Sequence, residues 1–173
     1  DKLFSWAAPF TGQPQQLLAL SMRYSGVYWG NDQHALAVEM RFSDRMLKIS
    51  RFAPANPKAG SQLVNERSYN DAYRDPGTPL FTQSRFGTRV LDIRHGDQIL
   101  LSGAGASPKG NVPFLDLYAL GSGEKKRLWQ SADGWYDRLA GVLDQDISKL
   151  LILREAPTVQ PNFQLLDLRD STL

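Results

Sequence analysis

The sequence contains no cysteine, which excludes disulfides, thiolate zinc sites and a cysteine nucleophile and leaves the redox compartment open. Histidine is nearly absent as well. His34 and His95 are the two imidazoles in 173 residues, and they fall in unrelated polar turns with no carboxylate at ligand spacing, so no metal site is predicted and no cofactor is called for. Charge of one sign is also missing: twenty Lys and Arg against eighteen Asp and Glu leave a net charge of +2. Nucleic acid is therefore not an expected partner. No apolar run approaches the ~18 residues that a spanning helix needs, so no membrane partner is expected either. The opening DKLFSWAAPF has neither an initiating methionine nor a basic leader, and the chain reads as a processed or excised piece.

What the chain has is dense punctuation, with fourteen glycines and ten prolines, around short runs rich in β-branched and aromatic residues. That texture predicts an all-β protein. Strands are predicted at GVYW (26–29), ALAVEMRF (35–42), MLKISRF (46–52), QILLSG (98–103), PFLDLYAL (113–120), KRLWQS (126–131), KLLILRE (149–155) and NFQLLDLR (162–169). Hydrophobic content of 42% is enough to bury a core.

The order of these elements repeats, with second strands of successive copies starting near Ala35, Ile99 and Lys149 and a long insertion read between Ala53 and Pro79. Repeats of about 40–50 residues built from four strands are the signature of β-propeller blades, and this length holds about three to four of them. The expected fold is a partial propeller of four-stranded antiparallel blades, near residues 22–70, 76–132 and 135–173, with 1–21 ending a preceding blade. ALAV and LLIL read as inner strands buried on both faces. Trp29, Trp129 and Trp135 read as buried wedges between sheets. An alternative for 134–151 is an amphipathic helix carried by Trp135, Leu139, Val142, Leu143, Ile147, Leu150 and Leu151. The Asp144-Gln145-Asp146 cluster favours a turn instead.

Catalytic patterns are mostly negative. Gly-x-Ser-x-Gly is absent, since Pro108 follows Ser107 and Gly121-Ser122-Gly123 lies in a hairpin, so no catalytic residue is assigned. The run Gly103-Ala104-Gly105-Ala106-Ser107 looks like a phosphate cradle but lacks the closing Gly-Lys-Ser/Thr, and a strand headed by Pro113 follows it where a helix should. It is read as a long turn between strands.

Three stretches in this order, YRDPGTP (73–79), GAGASPKGNVPFLDLYAL (103–120) and REAPTVQPNFQLLDLR (154–169), resemble the propeller of the glutamyl endopeptidase branch of the prolyl oligopeptidase family. GVYWGNDQHALAVE resembles the blade opening before them, so the likeness runs through nearly the whole chain. It departs at EMRFSDRMLKISRF, where the family has a tryptophan- and arginine-rich stretch, and at Ala156, where serine is usual.

The resemblance implies a serine peptidase, a hydrolase acting on peptide substrates, whose propeller covers a C-terminal α/β-hydrolase domain carrying the triad. This chain is then a non-catalytic segment that gates and lines the substrate cavity. A free-standing interaction scaffold is the alternative, and an open arc of blades with bare edges predicts possible self-association. Cleavage after glutamate calls for a cation near the substrate carboxylate, and Arg154 and Arg74 are the candidate substrate-binding residues. Each has a plainer reading as a solvated arginine or structural ion pair, and that reading is favoured. By resemblance the bacterial periplasm is the expected compartment, with the chloroplast stroma as the alternative.

Overall fold

A computed structural model describes residues 1–169 and shows an all-β chain that divides into two compact units. The first comprises Asp1–Asp71 and Phe81–Asp92; the second comprises Ala72–Leu80 and the chain from Ile93 onward.

In the first unit, β1 (Lys2–Ser5) pairs with β2 (Gln15–Ala19). An antiparallel meander in chain order follows: β3 (Arg23–Trp29), β4 (Ala35–Arg41), β5 (Met46–Phe52) and β6 (Ser61–Ser68). β6 lies inside the stretch read from sequence as an insertion. Its SQLVNERS is mostly polar because Ser61 to Leu63 are exposed, so alternation is too weak to mark a strand, yet it pairs along β5 from Met46 to Phe52. A one-turn helix, Pro57–Ala59, links the two strands. After β7 (Thr78–Pro79), which belongs to the second unit, the hairpin of β8 (Phe81–Gln83) and β9 (Arg89–Leu91) returns to the first. There Phe81 meets Tyr28 edge to face at 5.3 Å.

β4 is buried from Ala35 to Glu39, as its unbroken apolar run predicts; Ala35 and Ala37 join Leu17, Leu18 and Phe52 in the core of this unit. Glu39 is the exception in polarity. It sits 2% exposed, accepts the N–H groups of Ser21 at 2.6 Å and Met22 at 2.8 Å, and faces Lys48, directly opposite on β5, at 3.4 Å. Burial pushes its carboxyl up, but the Met22 and Ser21 hydrogen bonds and the Lys48 charge outweigh that and hold it below the ordinary glutamate value. A depressed carboxyl contributes stability that is complete above the unfolded value and lost as pH falls through the folded one. Glu39→Gln is therefore expected to lower the melting temperature at neutral pH, with the gap to the parent closing in acid. Thermal melts across that range check the sign.

The second unit continues with β10 (Ile93–Arg94), β11 (Gln98–Gly103), β12 (Ala106–Ser107), β13 (Gly110–Asn111), β14 (Phe114–Ala119) and β15 (Lys125–Gln130). β10, β11, β14 and β15 form an antiparallel sheet in that order, with β7 also paired to β11, while β12 and β13 make a small separate hairpin. Then β16 (Tyr136–Val142), β17 (Lys149–Ala156) and β18 (Val159–Asp167) form a three-stranded meander. Leu100, Leu115 and Trp129 from the first of these sheets close on Ile147, Leu150, Ile152 and Leu166 to make the core.

The helical alternative for 134–151 is not realised, because β16 pairs with β17 from Tyr136 to Val142. Asp144 makes the intervening turn, accepting the N–H of Ser148 at 2.8 Å. Two further expectations are corrected. KLLILRE is not buried on both faces; Leu150, Ile152 and Arg154 point inward while Leu151 and Leu153 are half-buried, the period-two pattern of a strand with one covered face. Of the three tryptophans read as wedges, Trp129 is buried at 8%, whereas Trp29 and Trp135 are 43% and 36% exposed.

Candidate functional site

Two of the motif-bearing stretches interlock in the second unit, and glycine is what lets them. In the Asp75-Pro76-Gly77 turn, the Gly77 N–H donates to Asp75 Oδ1 at 3.0 Å and Gly77 adopts a φ of +89°. A Cβ on Gly77 would stand 2.8 Å from the Ser102 carbonyl oxygen, and one on Gly103 would stand 2.7 Å from the Phe114 ring and 3.0 Å from the Gly77 Cα. At Gly105, φ is +62° and a Cβ would reach the Val112 carbonyl oxygen at 2.0 Å. The glycine run is therefore a place where three backbone segments and one aromatic ring pass too closely for side chains. The phosphate-cradle likeness has its cause in packing.

Beyond Gly105, β12 and β13 are closed by a Ser107–Gly110 turn in which Ser107 Oγ donates to the Gly110 carbonyl at 2.8 Å and accepts the Lys109 N–H at 3.2 Å. A second tight turn spans Ala132 to Trp135: the Trp135 N–H donates to the Ala132 carbonyl at 3.1 Å, and Gly134 takes a φ of +80°. Ser131 staples this turn to β16, its Oγ donating to the Trp135 carbonyl at 2.9 Å and accepting the Asp137 N–H at 3.0 Å.

These turns and the end of β17 enclose a groove of about 560 Å³ lined by Ser107, Lys109, Asn111, Trp135, Tyr136 and Glu155, among others. A neighbouring cavity of about 340 Å³ is lined by Asp75, Gly77, Gly103, Arg138 and again Tyr136. The stretch 103–120 lines both cavities, 73–79 lines the smaller and 154–169 the larger, and Tyr136 is common to the two. Lys109 stands on the β12–β13 side, and Asp133 and Glu155 line the same groove from the tryptophan turn and from β17. Its charge is mixed.

Arg154 lies behind this groove. It is 8% exposed, with Nε 2.7 Å and Nη2 2.8 Å from the two oxygens of Asp137, which is fully buried and directly opposite on β16. The Asp137 hydrogen bonds push the guanidinium further above the ordinary arginine value. Its charge centre also sits 4.7 Å from the Trp135 ring centroid. The structure thus places Arg154 in the ion-pair arrangement weighed from the sequence, with Asp137 as its partner. Arg74 is exposed at the end of the one-turn helix Ala72–Arg74. Neither arginine is among the residues lining the two cavities.

The same construction occurs one sheet earlier. Asp116, fully buried on β14, is held by Arg127 directly opposite on β15 and approached by Lys125 at 3.7 Å, and the Arg127 guanidinium lies 4.3 Å from the Phe114 ring. In both cases an aromatic residue lies two positions before an aspartate, Phe114 within β14 and Trp135 just ahead of β16, and an arginine on the next strand grips the carboxylate and covers the ring. FLD at 114–116 and WYD at 135–137 are the sequence signal for this pair; the sequence reading takes Trp135 as a wedge and assigns nothing to Asp137.

The imidazoles play other parts. His34 is buried, with Nδ1 accepting from Arg51 Nε at 3.0 Å, and His95 is an exposed turn residue with a φ of +48°. Among the described residues there is no group of three or more His, Cys, Asp or Glu able to hold a metal ion, and no helix long and apolar enough to cross a membrane.

This all-β chain with its mixed-charge groove is similar in sequence to peptidases. It is 34% identical to a rice (Oryza sativa subsp. japonica) protein named probable glutamyl endopeptidase, chloroplastic, over 92% of this chain and 18% of that protein. An Arabidopsis thaliana protein of the same name is 32% identical over 92% of this chain, again covering 18% of the relative. The chain therefore spans about a fifth of the length of the curated relatives it matches. No family model matches it.

Proposed function

We propose that this chain is part of the β-propeller of a serine endopeptidase of prolyl oligopeptidase type that cleaves after glutamate. In this reading the chain lines the substrate cavity, and the serine, aspartate and histidine that perform the chemistry belong to an α/β-hydrolase domain elsewhere in the polypeptide. The observation that carries it is that the three resembling stretches line two neighbouring cavities that share Tyr136, in a chain whose curated relatives are named glutamyl endopeptidases. The chain-order meander of β3 to β6, with the central strand β4 buried from Ala35 to Glu39, supports the blade reading. Of the two arginines, exposed Arg74, which lines neither cavity but is next in sequence to the cavity-lining Asp75, is the proposed contact for a substrate carboxylate, while Arg154 acts from behind the groove by holding Trp135.

The test is hydrolysis of matched peptides by the full-length gene product, with glutamate, glutamine or alanine before the scissile bond. The expected kcat/KM favours glutamate by about a hundredfold or more, because the neutral analogues lose the charge-assisted hydrogen bonds that a guanidinium makes to the glutamate carboxylate. Equal cleavage of all three, or no hydrolysis, overturns the proposal.

A further inference from the structure

Phe114 and Trp135 occupy the same place in two copies of one construction, yet their surroundings differ. The Phe114 ring is packed against Gly103 and Gly105 and is 4% exposed; Trp135 is 36% exposed and lines the groove. An exposed tryptophan ordinarily moves between rotamers, and fixing one costs conformational entropy. Here a buried ion pair, a cation over the ring, the Ser131 staple and a tight turn all hold it before any ligand arrives. A rigid, half-exposed aromatic in a groove is how binding sites obtain contact area at low entropic cost.

The lining specifies the occupant. Because the Arg154 cation already draws on the Trp135 π-system, the indole suits an apolar side chain better than a second cation. Lys109 offers a donor for a carboxylate, while Asp133 and Glu155 offer acceptors for backbone N–H groups. A ligand presenting apolar, anionic and amide groups together is an extended peptide.

We propose that this groove binds an extended peptide segment bearing an apolar side chain that packs on Trp135 and an acidic side chain that pairs with Lys109. Resting on the peptidase reading above, it makes the groove a site that positions substrate away from the scissile bond, with Trp135 and Lys109 as specificity residues.

The experiment uses the full-length protein, its catalytic serine blocked for binding and intact for kinetics, and fluorescein-labelled glutamate-containing peptides of increasing length. For long peptides, Trp135→Ala is expected to raise Kd and KM about tenfold with kcat unchanged. Short peptides should be unaffected, and Trp135→Phe should recover part of the loss. Lys109→Gln is expected to weaken binding of acidic peptides and leave their glutamine versions alone. Unchanged KM and Kd in Trp135→Ala, or parent protein that binds cello- or malto-oligosaccharides in place of peptides, overturns the inference. If the parent hydrolyses no peptide, the peptidase reading fails, and the binding arm still decides the groove.

Discussion

Replacing Asp137 with leucine is expected to destabilise the second unit by about 3–5 kcal/mol, because it leaves the Arg154 guanidinium buried at 8% exposure without its counter-charge. The reason lies in the asymmetry of buried pairs. Bringing both charges out of water is costly, and their mutual attraction offsets that cost only while both are present; removing one keeps the desolvation and discards the attraction. The double variant Asp137→Leu with Arg154→Met removes the cost together with the gain, and should recover most of the stability. It should not recover the position of Trp135, whose ring loses the cation 4.7 Å from its centroid. Urea unfolding followed by tryptophan fluorescence separates the two effects. A loss below about 1 kcal/mol in the single variant would show that the pair is solvated and contributes as a surface bridge does.

Gly105→Ala is expected to cost roughly 2–3 kcal/mol. The left-handed backbone at φ +62° penalises a Cβ by ~1–2 kcal/mol. The collision with the Val112 carbonyl then forces apart the bond that the Val112 N–H donates to the Gly105 carbonyl at 3.0 Å, worth about 1 kcal/mol more. Gly134→Ala is the control, since φ there is +80° but nothing lies within 4 Å of the added methyl, leaving the conformational penalty alone. Equal losses in the two variants would remove close approach as the reason for the glycine run.

Strands such as β4, β5, β11 and β14 are legible in the sequence because their apolar residues fall in short runs bounded by turn residues. β6 was not, because it is held by backbone pairing to β5 and presents mostly polar side chains, so its strand character exists only in the presence of its neighbour. The motif segments were legible as markers, but what they share was not. Gly77 meeting Ser102 and Gly103 is a contact between residues far apart in the chain, and no local pattern announces it. Arg154 was singled out for its charge; its partner Asp137 lies seventeen positions earlier, where only strand register brings the two face to face. Trp135 illustrates the reverse error, since size and apolarity suggest burial while the turn at Gly134 turns it outward.

The proposed role of this chain is to line a peptidase cavity while the chemistry belongs to another domain. Its most direct test is labelling of the full-length protein with a serine-directed fluorophosphonate, followed by mass-spectrometric mapping of the modified residue. The account predicts a single labelled serine outside residues 1–173, with labelling and glutamate-specific hydrolysis lost together when that serine is replaced. A modified serine within this chain, or hydrolysis that survives complete labelling, would contradict it.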